Sequence, residues 1–333
     1  MQFGVDISEE QILSWGHGIL ETLLLDHTTG RNIIWATKDY EHLGDGYGFF
    51  DEITIDKITE NHNIIIRPRV TKSVENQKNR SKDKAEVFTP SWVCNAQNNL
   101  IDKAWFETEN DIFNHEAEKS WVSLSVPNQC YPTGKNWHKY ISSTRLEMAC
   151  GEAPYLTSRY DTTTGEMIDV NNRIGLLDRK FHIIKHNIPD LRDDMNKNEK
   201  KNIKQAWRRH ALRALQSTYG FEWQGDNLLL ARENLLISFL EFYQDKWSVN
   251  EFKEWKTLSH VAEIISWNIW QMNGLKLGIP GYEPVEQINT AGRFFDTPIP
   301  PCQRVCHIKE WHGVEPPYGD EVIFKTLVTQ NKK

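Results

Sequence analysis

The sequence predicts an α/β protein. Between Arg145 and Trp270 it runs strand, turn, helix, strand, helix, strand. The short strands in that run are separated by long stretches of helical periodicity, and the first ends in a glycine-bearing turn. The 333 residues suffice for one large domain or two modest ones, and a chain of that length buries roughly three quarters of its unfolded surface without a disulfide or metal staple. Hydrophobic residues at 39%, charged residues at 26% and 13 tryptophans exclude a disordered chain. No apolar run reaches the ~18 residues of a membrane span. The opening MQFGVDISEE lacks the basic and apolar regions of a signal peptide, and five irregularly spaced cysteines suit reduced thiols. A soluble, cytoplasmic protein without membrane contact is expected.

Residues 7–25 read as a helix interrupted by Gly16 and Gly18, with Glu9 and Glu10 in its first turn. Asp26–Gly30 and Asp161–Gly165 share Asp-x-Thr-Thr-Gly, a hairpin turn in which Gly supplies positive φ. Residues 40–50 are a Gly-rich aromatic loop, and 63–70 a short strand broken by Pro68. The polar stretch 74–84 marks a boundary near residue 80, dividing an N-terminal α+β segment (1–80) from the main domain (81–333). Pro90 then starts a helix, SWVCNAQNNLIDKAWF. Residues 142–150 approach a buried strand ending at Gly151. Residues 160–200, dense in Arg, Asp and turn formers, read as an insertion. A basic amphipathic helix over 200–219 is stopped by Gly220, a strand covers 221–224, and 227–246 is the clearest helix. Residues 261–270 finish a helix and enter another strand, and 304–311 is a further strand.

The net charge of −7 conceals two basic strips. Residues 67–84 carry seven Lys or Arg against two acids, and 197–213 seven against one; the rest of the chain sums to −18. Strips of this kind fit DNA phosphates, or are plain solvated faces.

Three segments carry the chemistry: AEVFTP at 85–90, LEMACGEAPYL at 146–156, and YGFEW at 219–223 before a long helix. In open α/β sheets ligands sit at the carboxyl ends of strands, where turns without bulky side chains let a cofactor approach the backbone. A carboxylate ending the next strand is the usual partner of a ribose hydroxyl pair, and Glu222 fits that position.

With IISWNIWQMNGL at 264–275, these segments resemble, in order, motifs of the N6-adenine DNA methyltransferases of Type I and Type IIG restriction systems. The resemblance implies a Rossmann-like, class I S-adenosylmethionine-dependent methyltransferase sheet with helices on both faces. It also implies DNA methylation in a restriction-modification or phage context. Phe88, Thr89 and Pro90 would line the methionine end of S-adenosylmethionine. Glu147, Cys150, Gly151, Glu152 and Ala153 would form the first motif, Glu222 and Trp223 the second, and Asn273 the third. Ala153 and Pro154 stand where the family has a second Gly, making backbone approach less free. Asn273 replaces an acid but keeps a carbonyl acceptor.

The family's Asn/Asp-Pro-Pro-Tyr/Phe tetrapeptide, which holds a flipped adenine, is absent. Its nearest counterpart is Glu315-Pro316-Pro317-Tyr318, with Glu310-Trp311 as an alternative acceptor and ring and an ordinary surface turn as the plainest reading. Only residues 319–333 follow Tyr318, whereas the family needs about three more strands, on the order of 80 residues. The sheet is therefore short, or residues 1–80 supply its missing edge, and target recognition falls to a partner protein. A catalytically degenerate subunit that binds DNA or a partner without methyl transfer is the alternative to an enzyme. Cys302, Cys306, His307 and His312 crowd together, but adjacent Cys306 and His307 point to opposite faces of a strand, so no metal site is expected.

Overall fold

The parallel three-stranded sheet at the centre of the molecule is formed by β5 (Arg145–Met148), β6 (Thr218–Glu222) and β7 (Ile269–Gln271), in that order. The computed structural model describes residues 3–60, 65–72, 89–281, 305–314 and 318–330. Ahead of the sheet come helices α1 (Glu9–Ser14), α2 (Ile19–Leu24) and α3 (Ile55–Ile58), the antiparallel pair β1 (Leu25–Asp26) and β2 (Arg31–Asn32), α4 (Ser91–Phe106), the hairpin β3 (Asn114–Ala117) and β4 (Ser120–Ser123), and α5 (Trp137–Ile141). Helices α6 (Leu176–Asn187) and α7 (Lys197–Gln216) connect β5 to β6, while α8 (Gly225–Trp247) and α9 (Trp255–Asn268) connect β6 to β7. A hairpin, β8 (His307–Trp311) and β9 (Gly319–Ile323), and α10 (Phe324–Gln330) close the chain. The molecule is mixed α/β with small sheets.

Local sequence explains these elements. Gly16, His17 and Gly18 all take positive φ (68°, 60° and 68°), which splits the helix expected over 7–25 into α1 and α2. Both Asp-x-Thr-Thr-Gly turns form. The Asp26 carboxylate accepts from the Thr28 backbone N–H, the Asp161 carboxylate accepts from those of Thr163 and Thr164, and Gly30 and Gly165 take φ of 69° and 78°. The Asn196 side chain caps α7 by accepting from Asn198 N and Glu199 N, while Glu199 accepts in return from Asn196 N at 2.7 Å. Gly220 does not stop α7, as its position suggested. It lies inside β6, where an added Cβ would meet Cys150 Sγ and Ile269 Cδ1 at 3.3 Å, so the glycine leaves room for the side chains of the turn after β5 and of β7.

One further expectation needs correcting, and another gains detail. The described part of the 63–70 segment is not a strand but a turn ending in a 3-10 helix, Arg69–Thr71, since Pro68 has no N–H for a ladder. The stretch 160–200, read from sequence as an insertion, contains α6, whose residues 176–184 are all buried. The charges buried in it are matched. Arg179 Nη1 donates to Asp102 Oδ2 at 2.7 Å, Lys180 Nζ to Ser143 O and Ser217 Oγ, and Asp178 accepts from Ser158 N. Buried charges survive when hydrogen-bonded in this way.

One face of the sheet carries Phe221 and Trp270, which pack with Ile308, Cys306 and Phe324 of the closing hairpin and α10. The other face meets α8, which is buried along nearly its whole length. Helices α1 and α2 join the same core, and there Glu9 lies beside Glu233. Both carboxyls are buried, and Glu9 Oε1 and Glu233 Oε1 each lack a hydrogen-bond partner. Burial raises both pKa values, that of Glu9 to about 8; the Asp6 carboxylate adds to the rise at both, and Glu9 adds to that at Glu233. Raised folded-state values mean the stabilising contribution is complete below about pH 4.5 and is lost as pH climbs through 8. Glu9→Gln should therefore gain melting temperature relative to the wild type as pH rises from 5 to 9, and parallel melting profiles would refute the buried-acid pair.

Candidate functional site

A cavity of about 760 Å³ opens at the carboxyl ends of β5 and β6. Its floor is the turn after β5, residues 147–151, and its wall is Glu222-Trp223-Gln224 at the end of β6. Because β5 and β6 are parallel and in register, with Glu147 opposite Gly220, the two strand ends deliver their side chains to one cleft.

The carboxylates are firmly held. Glu222 Oε2 accepts from Gly151 N at 2.9 Å and Oε1 from Gln224 N at 3.2 Å, tying the end of β6 to the loop after β5. Glu147 reaches forward along the same loop, accepting from Leu156 N at 3.2 Å and Tyr155 N at 3.4 Å. Burial raises both pKa values, that of Glu147 to about 8, although the backbone donors pull the other way and the neighbouring Glu222 adds to the rise. Glu222 takes backbone donors from Gly151, Gln224 and Trp223, and an ionised carboxylate offers about four acceptor sites, so a hydroxyl donor in the cavity can still be accommodated.

The loop itself is tightly turned. Ala149, Gly151 and Ala153 take φ of 50°, 53° and 63°. Ala153, fully buried, thus adopts the left-handed conformation a glycine would take most readily, at a cost of roughly 1–2 kcal/mol. Asn98 Nδ2 steadies the same loop from α4 by donating to Tyr155 O and Ile174 O at 3.0 Å.

Of the residues singled out from sequence, Thr89, Glu147, Cys150, Gly151, Glu222 and Trp223 line this cavity. Phe88 lies outside the described residues, and Pro90 is the N-cap of α4 rather than a wall. Ala153 sits behind the loop. Glu152 points away, accepting from Arg69 N and Tyr160 Oη at 2.6 Å each. Asn273 caps its own turn, accepting from Leu275 N and Lys276 N, and does not reach the cavity.

The two catalytic alternatives stand elsewhere. Glu315, Pro316 and Pro317 lie outside the described residues. Tyr318 is half-buried, its ring 4.7 Å from that of His260 on α9. Trp311 is a core residue whose Nε1 donates to Asn268 Oδ1 at 2.7 Å, and Asn268 in turn donates to Leu215 O and Thr218 O. That chain of bonds fixes Trp311 at the amino end of β6, whereas Glu222 and the cavity are at its carboxyl end. Glu310 is exposed in an antiparallel hairpin. The strand expected at 304–311 forms as β8 over His307–Trp311, and it pairs antiparallel with β9 rather than joining the central sheet.

Sequence reasoning missed the N-terminal contribution. Ala36, Thr37, Lys38 and Phe49 line the cavity, placed there because Gly225 N donates to Trp35 O at 3.0 Å and Trp223 Nε1 to Ala36 O at 3.0 Å. The Gly-rich aromatic stretch at 40–50 was the available signal. Asn98 and Ile101 were also missed, although Asn95, Asn98, Asn99 and Asp102 form a polar stripe at helical spacing that is buried throughout.

No family model, no curated protein and no solved structure matches this chain.

The junction at Gly225 is demanding: an added Cβ would stand 2.1 Å from Ile34 O, so backbone would have to move. Gly225→Ala should cost about 2 kcal/mol or more in denaturant unfolding and loosen the 36–38 wall. Unchanged stability would show that this approach is not as close as described.

Proposed function

We propose that the cavity binds S-adenosylmethionine and that the protein is a methyltransferase-like, Rossmann-type module. The observation that carries the reading is the tie between Glu222 and Gly151 at adjacent parallel strand ends, since a carboxylate beside a glycine turn is the arrangement an adenosine ribose requires. The residues fit such a group. Glu222 retains acceptor capacity for a ribose hydroxyl, Phe49 and Trp223 offer ring faces, and Thr89 and Asn98 offer polar atoms. The cofactor when bound supplies an electrophilic methyl group on a sulfonium. The chain's own part is to orient it, with Leu176 as a buried apolar wall.

Adenine N6 of DNA is the substrate that the motif resemblance favours. The position of Trp311 and Tyr318 favours the second reading, a module that holds cofactor while a partner chain supplies the acceptor and ring for a flipped base. For DNA contact, α7 is the better of the two basic strips, with Lys197, Lys201 and Arg209 exposed. In the other strip, among the described residues, Lys72 pairs with Asp226 at 3.4 Å and Arg69 is half-buried.

Isothermal titration with S-adenosylmethionine should give saturable binding, weakened by about 1–3 kcal/mol in Glu222→Ala. Binding unaffected by that substitution would remove the cavity from the account. Arg208→Ala with Arg209→Ala should lower the slope of log DNA affinity against log salt by roughly 2. No DNA binding at low salt by folded wild-type protein would leave a protein partner as the target of α7.

A further inference from the structure

Helices α5 and α7 meet in a corner of three aromatic rings. Trp137 and His138, the first two residues of α5, stack on each other with ring centres 3.7 Å apart and planes at 28°. His210 of α7 closes the group, 4.6 Å from Trp137 and 4.9 Å from His138. His138 is exposed, whereas Trp137 and His210 are half-buried. The corner is braced from both sides: Arg213 Nε of α7 donates at 3.2 Å to Oγ of Ser142, the C-cap of α5, and Trp137 packs on the core. None of these residues lines the strand-end cavity.

An exposed basic ridge leads to the rings. Lys197, Lys201 and Arg209 are all exposed and follow one another along α7 at helical spacing, with exposed Gln205 between the last two. The ridge spans about 18 Å at 1.5 Å per residue. The acid of this helix, Glu199, is engaged in the cap, where it accepts from Asn196 N at 2.7 Å. Arg209 stands beside the rings, since its charge acts on both imidazoles. Burial is the first cause of a lowered pKa at each; Arg209 adds to it at His138, and His138 and Arg209 add to it at His210, which falls to about 4. Near neutral pH both imidazoles are therefore uncharged and present ring faces rather than cations.

We infer that this corner is a stacking platform for an unpaired base of single-stranded DNA, with the adjoining phosphates running along Arg209, Lys201 and Lys197. The site rests on the reading of α7 as the DNA-contacting helix and adds the form of DNA that the helix takes. A ridge of cations suits any phosphate backbone, but an aromatic corner at its end suits only a strand whose bases are free to leave their own stack. In a duplex the base faces are already covered. The platform is sequence-tolerant, because every base has a face to offer and no hydrogen-bonding group is needed to read it.

The test compares two fluorescently labelled strands of about a dozen nucleotides with the same number of phosphates, one carrying bases and one abasic, by anisotropy at low salt. Wild-type protein should bind the base-bearing strand about fivefold or more tighter than the abasic one. Trp137→Ala with His138→Ala should bring that ratio close to one while leaving the abasic strand within about twofold, since the phosphate contacts persist. Lys197→Ala with Lys201→Ala should instead weaken both strands by the same factor. If the ring variant does not fold, the His138 ring-proton resonances of the wild type decide: they should move by ring current with the base-bearing strand and stay in place with the abasic one. Equal affinity of the two strands, a ratio unchanged in the ring variant or unmoved His138 signals would overturn the platform and leave α7 as a plain phosphate contact. Binding of neither strand would overturn both.

Discussion

Glu222 holds the functional end of the molecule together. Its two oxygens accept from Gly151 N and Gln224 N, so one buried carboxylate fixes the turn after β5, the end of β6 and the first turn of α8. Glu147 repeats the device one strand over, accepting from the backbone of Tyr155 and Leu156. Backbone N–H groups buried in a loop must be satisfied, and here carboxylates satisfy them where a sheet ladder cannot. The shape of the cavity follows from these two residues.

Around that junction, α8 is the element the rest of the chain packs on. Arg232 is buried within it and donates to Ile269 O at 2.8 Å, Ser266 O at 3.0 Å and Leu25 O at 3.0 Å, as well as to Leu23 O. A single guanidinium thereby joins α8, the entry to β7 and the N-terminal segment. Its pKa falls to about 10 by burial, so it remains charged near neutrality, with Asp26 favouring the charged form. The N-terminal residues are therefore no appendage: they form part of the core and one wall of the cavity.

Much of this was legible in the sequence. The order of strands and helices from 145 to 270, the helix after Pro90 and both Asp-x-Thr-Thr-Gly turns follow from local pattern, while the clustering of Glu147, Gly151 and Glu222 was expected from the motif resemblance. The failures share a physical cause. Residues 160–200 read as an insertion because they are dense in charge and turn formers, and only tertiary partners such as Asp102 and Ser217 reveal that α6 within them is buried. Trp311 read as a stacking ring because sequence shows an aromatic at a strand end without showing which end of the sheet it reaches. The contribution of residues 36–49 depends on a contact across nearly 190 residues, between Trp223 and Ala36, which no local periodicity encodes.

The strand-end cavity is the proposed site for S-adenosylmethionine. Backbone amide hydrogen exchange with and without S-adenosylmethionine tests it most directly, because it maps protection along the whole chain. The account predicts added protection concentrated in residues 147–156 and 222–227, with weaker protection at 36–38. Binding with protection confined to other segments, or no change in exchange at saturating cofactor, would contradict it.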